Sequence, residues 1–197
     1  MSRKIILLFI ISTLLLLSAC SLKGNGKAVS FKDKNFEQAI KKSCGIETES
    51  VYTGQIENVI KLDISKSGIT DLSGIDAFSS LLYLDASDNN ISNLQPISKL
   101  KGLLKLDLTK NMVKDIKPLA NIASLQELDL GQNGIADVTS IDSISELSVL
   151  RLDNNNLKDV KPLEGMEKLK YLDLTNNFIS DEALIARLKG DVKTFKY

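Results

Sequence analysis

A leucine recurs every 22 residues without a break, at Leu62, Leu84, Leu106, Leu128, Leu150 and Leu172. Two residues on stands a second column, Ile64, Ala86, Leu108, Leu130, Leu152 and Leu174. A third reads Ser67, Asn89, Asn111, Asn133, Asn155, Asn177, and a fourth Ile69, Ile91, Val113, Ile135, Leu157, Ile179. Self-similarity at a fixed period of about 20 to 50 residues marks stacked units rather than a core closed once. That constraint precedes any other reading of the chain.

The stretch LLKLDLTKNMVKDIKPL, residues 103–119, shows what one unit does. In KLDLT, apolar and polar residues alternate, so a strand there turns Leu106 and Leu108 one way and Lys105, Asp107 and Thr109 the other. Asn111 follows where the chain must leave ladder geometry, and its amide can pair with backbone groups the turn leaves open. Stacked units would align these Asn side chains into an internal ladder. Further buried positions are Leu72, Leu94, Ile116, Val138 and Val160, then Ile75, Ile97, Leu119, Ile141 and Leu163, then Phe78, Leu100, Ile122, Ile144 and Met166. A single unit has nothing to bury these against, so only its neighbours close the core. Pro96, Pro118 and Pro162 share one column, and proline cannot donate to a ladder, which predicts an irregular or 3₁₀ limb there.

The pattern L-x-L-x-x-N-x-L at this period resembles the leucine-rich repeat. The phrase N-x-I-x-D-I-x-P-L is carried by residues 111–119 with Val113 at its Ile position, and it resembles the internalin-like class of bacterial surface proteins. The resemblance covers residues 56–185. It implies an α/β fold: a leucine-rich repeat solenoid, a right-handed superhelix with a parallel concave sheet, 3₁₀ or irregular convex limbs and a helical N-terminal cap. It also implies a role in adhesion or host contact.

Residues 1–19 read as a signal peptide. Arg3 and Lys4 precede the run IILLFIISTLLLL of 13 residues, too short to span a bilayer comfortably. It ends in Leu17-Ser18-Ala19-Cys20, which resembles a bacterial lipobox and implies lipid attachment at Cys20, with palmitate among the acyl chains. Acyl chains there would hold the protein on a membrane, each buried methylene contributing about 0.8 kcal/mol. The expected location is therefore the bacterial cell envelope, lipid-anchored and facing outward. Residues 20–30, with Gly24 and Gly26, read as a lipidated flexible tether.

Residues 31–55 are expected to form the N-terminal cap. Asp33 can cap a helix running to about Ser43, with Phe36, Ile40 and Cys44 on one face. Cys44 then reads as a buried cap residue. With Cys20 consumed by lipid, no internal disulfide framework is expected. The six units occupy 56–180, and 181–197 form a C-terminal cap. There Ser180 can cap a helix bearing Leu184, Ile185 and Leu188, Gly190 suits its end, and DVKTFKY lies as a final strand or extended segment.

The chain carries 25 basic and 25 acidic residues; without Arg3 and Lys4 the balance is 23 against 25. A slightly acidic chain is a poor match for nucleic acid. It has no His, no G-x-S-x-G and no P-loop, so neither a triad nor an ordinary zinc site can be assembled. No enzyme activity, cofactor, metal or small-molecule substrate is expected. The expected partner is a protein, and the chain itself is expected to be monomeric.

Binding would fall to the outward strand positions. The first column is Lys61, Tyr83, Lys105, Glu127, Val149, Tyr171; the second Asp63, Asp85, Asp107, Asp129, Arg151, Asp173; the third Ser65, Ser87, Thr109, Gly131, Asp153, Thr175. The candidate contact residues are Tyr83, Asp85, Lys105, Asp107, Glu127, Asp129, Arg151, Asp153, Tyr171 and Asp173. Strands about 4.8 Å apart make the second column a stripe of carboxylates that repel one another. It is either the habitual strand of the repeat or a functional acidic stripe. Arg151 can relieve it by reaching Asp129, Asp153 or Asp173. Tyr83 and Tyr171 stand out as exposed aromatics of the kind enriched at binding hot spots. Two roles are compatible with this face: adhesion or host contact, and a structural or housekeeping role in which the solenoid docks on a neighbour in the same envelope.

Overall fold

A computed structural model of the chain describes residues 25–197. The expected signal peptide, Cys20 and the first part of the expected tether lie outside the described residues.

Seven three-residue strands form one parallel sheet in chain order. They are β1 (Lys61–Asp63), β2 (Tyr83–Asp85), β3 (Lys105–Asp107), β4 (Glu127–Asp129), β5 (Val149–Arg151), β6 (Tyr171–Asp173) and β7 (Thr194–Lys196). The register keeps the sequence period: Leu62 lies beside Leu84, Leu84 beside Leu106, and so on to Leu172, beside which Phe195 continues the row. Because the side-chain period of a strand is two, this register turns every central leucine inward together. All six are buried, as are Ile64, Ala86, Leu108, Leu130, Leu152 and Leu174. A further column, Leu81, Leu103, Leu125, Leu147 and Leu169, is equally buried and completes the core. Met166 is only partly buried against it.

The returning limbs are 3₁₀ turns, as the proline column predicts. Three begin around Pro96, Pro118 and Pro162, within Gln95–Lys99, Lys117–Asn121 and Lys161–Leu163. Two more, Ile75–Ala77 and Ile141–Ser143, form without proline.

The asparagine ladder is present, and each member links two turns. Asn111 Nδ2 donates to Leu108 O in its own turn and to Ala86 O in the preceding one, both at 3.0 Å. Its Oδ1 accepts from Ile91 N at 2.9 Å. Asn89, Asn133 and Asn155 repeat the arrangement one turn apart. Ser67 breaks the column; its hydroxyl donates to Ser65 O instead. The residue just before each ladder position is left-handed: Lys66, Asp88, Lys110, Gln132, Asn154 and Asn176, with φ between 52° and 57°. This sharp bend is what redirects the chain out of the strand.

Both ends of the core are covered. Helix α1 (Lys34–Cys44) buries Phe36, Ala39, Ile40 and Cys44. The stretch after it, expected as part of the cap but with no element read from its residues, holds the short helix α2 (Thr53–Ile56). There Tyr52 N donates to Gln55 Oε1 at 2.8 Å. At the far end α3 (Glu182–Asp191) buries Leu184, Ile185 and Leu188. Its N-cap is Asp181, not Ser180, because the Asp181 carboxylate accepts from Leu184 N at 2.9 Å. Gly190 lies within the last turn rather than ending it, and Val192 closes the helix. No described helix is long and apolar enough to cross a membrane.

The tether requires a correction. From Asn25 onward it runs against the cap: Gly54 N donates to Asn25 O and Thr53 N to Lys27 O, both at 2.9 Å, and Val29 N to Val51 O at 2.8 Å. The low apolar content of residues 25–30 predicted flexibility, but these pairs use backbone groups, which side-chain composition does not report.

Candidate binding face

The outward positions of the strands lie where the sequence places them, yet their side chains are not equally available. The aspartates of the second column carry structural hydrogen bonds. Asp63, Asp85, Asp107, Asp129 and Asp173 each accept, through Oδ1, the amide of the residue two further on. Each carboxylate thereby pairs a backbone donor where the chain begins to turn. The stripe is thus a structural column, whatever else it does.

Its members differ electrostatically. For Asp129, burial pushes the carboxyl upward, and the Asp107 charge adds to this against hydrogen bonds from Thr109 and Gly131 and the Arg151 charge. Arg151 Nη1 approaches Asp129 Oδ2 at 3.5 Å. Asp173 is more deeply buried, at 7 % exposure. Its desolvation is outweighed by the Thr175 hydroxyl and amide and by Lys196, so its carboxyl lies below the usual range. Lys196 belongs to β7 and brings Nζ to 3.3 Å from Asp173 Oδ2.

The two tyrosines also part company. Tyr83 is 40 % exposed on β2. Tyr171 is half-buried between cations, with the Arg151 guanidinium 4.8 Å and Lys196 Nζ 5.4 Å from its ring centroid. The sequence reading of Tyr171 as an exposed aromatic fails because Lys196 arrives on a seventh strand that the 22-residue phrase does not contain. Asp153 is occupied as well: its Oδ2 accepts from Asn154 Nδ2 at 2.7 Å, and it lies over Gly131, where a Cβ would come within 2.7 Å of Oδ1.

The accessible part of the face is its N-terminal half. There Lys61, Tyr83, Asp85, Lys105, Asp107 and Glu127 line a groove of about 590 Å³ with Leu84 at its floor. Lys105 Nζ pairs with Glu127 Oε2 at 2.7 Å across neighbouring strands, and both side chains remain about half exposed. Lys61 is not among the residues the sequence singles out, although its place in the Tyr83 column at the repeat period was the available signal. Asp85, Lys105, Asp107, Glu127 and Tyr83 are brought together; Arg151, Tyr171 and Asp173 form a separate group with Lys196, Arg151 also reaching Asp129, while Asp153 pairs with Asn154 instead. An open groove with one exposed aromatic and charges of both signs suits reversible contact with another polymer chain.

The family described as "Leucine Rich repeats (2 copies)" matches residues 79–121 and 145–185. Among curated proteins no sequence matches. Among solved structures, internalin C2 of Listeria monocytogenes is 30 % identical with a TM-score of 0.77, over 84 % of this chain and 74 % of that one. A second Listeria monocytogenes internalin is 29 % identical with a TM-score of 0.76, over 82 % of this chain and 48 % of that one. A leucine-rich repeat protein of Leptospira interrogans, 24 % identical with a TM-score of 0.67, covers 73 % of this chain and 38 % of its own, and shows the shared fold. This is the fold of a protein-binding repeat domain, a class that typically serves as a scaffold rather than a catalyst. By the identity and coverage it shares with internalin C2, the chain belongs to the internalin-like leucine-rich repeat family.

Proposed function

We propose that this is a lipid-anchored, outward-facing envelope protein that binds another protein through the N-terminal half of its concave sheet. The observation that carries the reading is the groove in which Tyr83 stands 40 % exposed among Lys61, Asp85, Lys105 and Glu127. A large rigid aromatic left in water on a polar face costs little to immobilise and much to truncate once covered. The anchor rests on Leu17-Ser18-Ala19-Cys20. Kinship with internalins suggests adhesion or host contact as the setting. Docking on a neighbour in the same envelope is the second reading, favoured by the pairing of residues 25–30 with the cap.

Two measurements test this. Mass analysis of the mature N-terminus should find acyl chains on Cys20, and Cys20→Ala should block processing; a variant still cleaved after Ala19 and membrane-bound at the original level removes the anchor. A photo-cross-linking residue at position 83 should capture a protein on intact cells, while the same residue at Lys117 on the convex side should not. Capture from 117 alone would reverse the assignment of faces.

A further inference from the structure

The distance between the anchor and the folded body is set by how early the chain docks on the cap. Three backbone hydrogen bonds hold Asn25, Lys27 and Val29 to residues 51–54, and Lys27 N also donates to Thr53 Oγ1 at 3.1 Å. Ala28 and Tyr52 form an antiparallel bridge. Close approach depends on two glycines. Gly26 has φ +98°, a conformation side chains rarely adopt, and a Cβ on Gly54 would lie 2.6 Å from Asn25 O. The segment is therefore built into the cap rather than resting on it.

Only Ser21, Leu22, Lys23 and Gly24 remain between Cys20 and the first docked residue. Fully extended, five Cα steps reach about 17 Å. Beyond the cap, roughly one helix diameter of about 10 Å, the sheet adds six strand spacings of about 4.8 Å. The farthest strand thus stands no more than roughly 60 Å from the lipid, and Tyr83 on the second strand much nearer.

We infer that the domain is clamped by its cap against the surface of the membrane that anchors it, and that its partner is a protein carried by that same membrane, binding close to the lipid. This rests on lipid attachment at Cys20 and takes the second of the two settings above, a neighbour in the same envelope, in place of host contact. A partner in the same membrane meets the groove at the raised effective concentration that a short link provides, and that advantage falls steeply as the link lengthens. A protein reaching outward would gain from a long tether, and the docking of residues 25–30 removes most of the one this sequence could have supplied.

The test uses the mature lipoprotein purified from its own membranes and reconstituted in vesicles containing an acceptor-labelled lipid, with a donor dye at Met112, an exposed position. Strong energy transfer is expected. Inserting about 20 Gly/Ser residues after Gly24 adds an r.m.s. reach of roughly 25 Å and should lower transfer sharply. Gly54→Ala, which undocks Asn25, should lower it by a smaller amount. Equal transfer from the native and inserted forms overturns the clamp. In cells grown alone and washed, the cross-linker at position 83 should give an adduct with a protein of the same membrane, weakened several-fold by the insertion. An adduct formed only after a second cell type is added overturns the partner assignment. Absence of acyl chains on Cys20 would instead sink the anchor itself, and mass analysis reads that separately.

Discussion

Asp33 Oδ2 accepts Thr70 N at 2.7 Å and the Thr70 hydroxyl at 2.8 Å, so one carboxylate joins the N-terminal cap to the first repeat. Its other oxygen caps α1 through Asn35 N and Phe36 N at 2.8 and 3.2 Å. Partial burial pushes this carboxyl up, but the Thr70 amide and hydroxyl, followed by the Phe36 and Asp71 amides, outweigh it and hold the pKa at about 2.

That depression fixes the sign of an acid effect. With an unfolded value of about 3.9, the stabilisation is fully present above that pH and is lost as pH falls toward 2. Asp33→Ala should lower stability at pH 7 by about 1 to 2 kcal/mol, at the upper end for a cap because a second element is released too. Denaturant titrations at pH 7 and pH 2.5 check this. The gap between native and variant should shrink at the lower pH.

Asn111→Ala should be among the most damaging single polar substitutions. It leaves Ile91 N, Ala86 O and Leu108 O without their side-chain partner inside the stack. Stranded buried groups cost about 1 to 3 kcal/mol. An unchanged urea midpoint would remove the ladder as a source of stability.

The left-handed column offers stabilising changes. Holding an L-residue in that region costs roughly 1 to 2 kcal/mol, less for Asn. Gln132, at φ 54°, is exposed. The next member, Asn154, already accepts from Asn176 Nδ2 at 2.9 Å. Gln132→Asn should therefore raise the thermal midpoint, and Lys110→Val, which puts a β-branched side chain in the same conformation, should lower that midpoint through a loss of stability of about 1 to 2 kcal/mol.

Asp129 should behave in the opposite sense to Asp33. Its folded carboxyl is raised, first by burial and then by Asp107, so its contribution declines as pH rises through its folded pKa. Asp129→Asn keeps an acceptor for Gly131 N and removes the charge, so stability at pH 7 should be equal or higher. The margin over the native protein should vanish in acid, as a pH series of melting curves would show.

The two tyrosines should separate binding from folding. Tyr83→Ala should leave the melting temperature nearly unchanged and weaken partner capture, since truncated aromatic anchors often cost about 2 kcal/mol or more. Tyr171→Ala should cost about 1 kcal/mol of stability by removing the ring between Arg151 and Lys196.

The solenoid was legible in the sequence because its physics is local and repeated. Leu106, Leu108, Asn111 and Pro118 each state a requirement of one turn, and the 22-residue spacing states that the next turn meets it. Strand register, the inward leucines, the asparagine ladder and the 3₁₀ limbs follow from period and residue type alone. Which outward side chains remain available was a matter for the tertiary structure, since availability depends on contacts the repeat does not encode. Lys196 reaches Tyr171 and Asp173 from a strand outside the repeat phrase, Asp33 reaches Thr70 across 37 positions, and Asn25 pairs with Gly54 through backbone atoms that carry no sequence signal beyond a glycine. A periodic pattern specifies what every unit shares; only three-dimensional proximity specifies what makes one unit differ from the next.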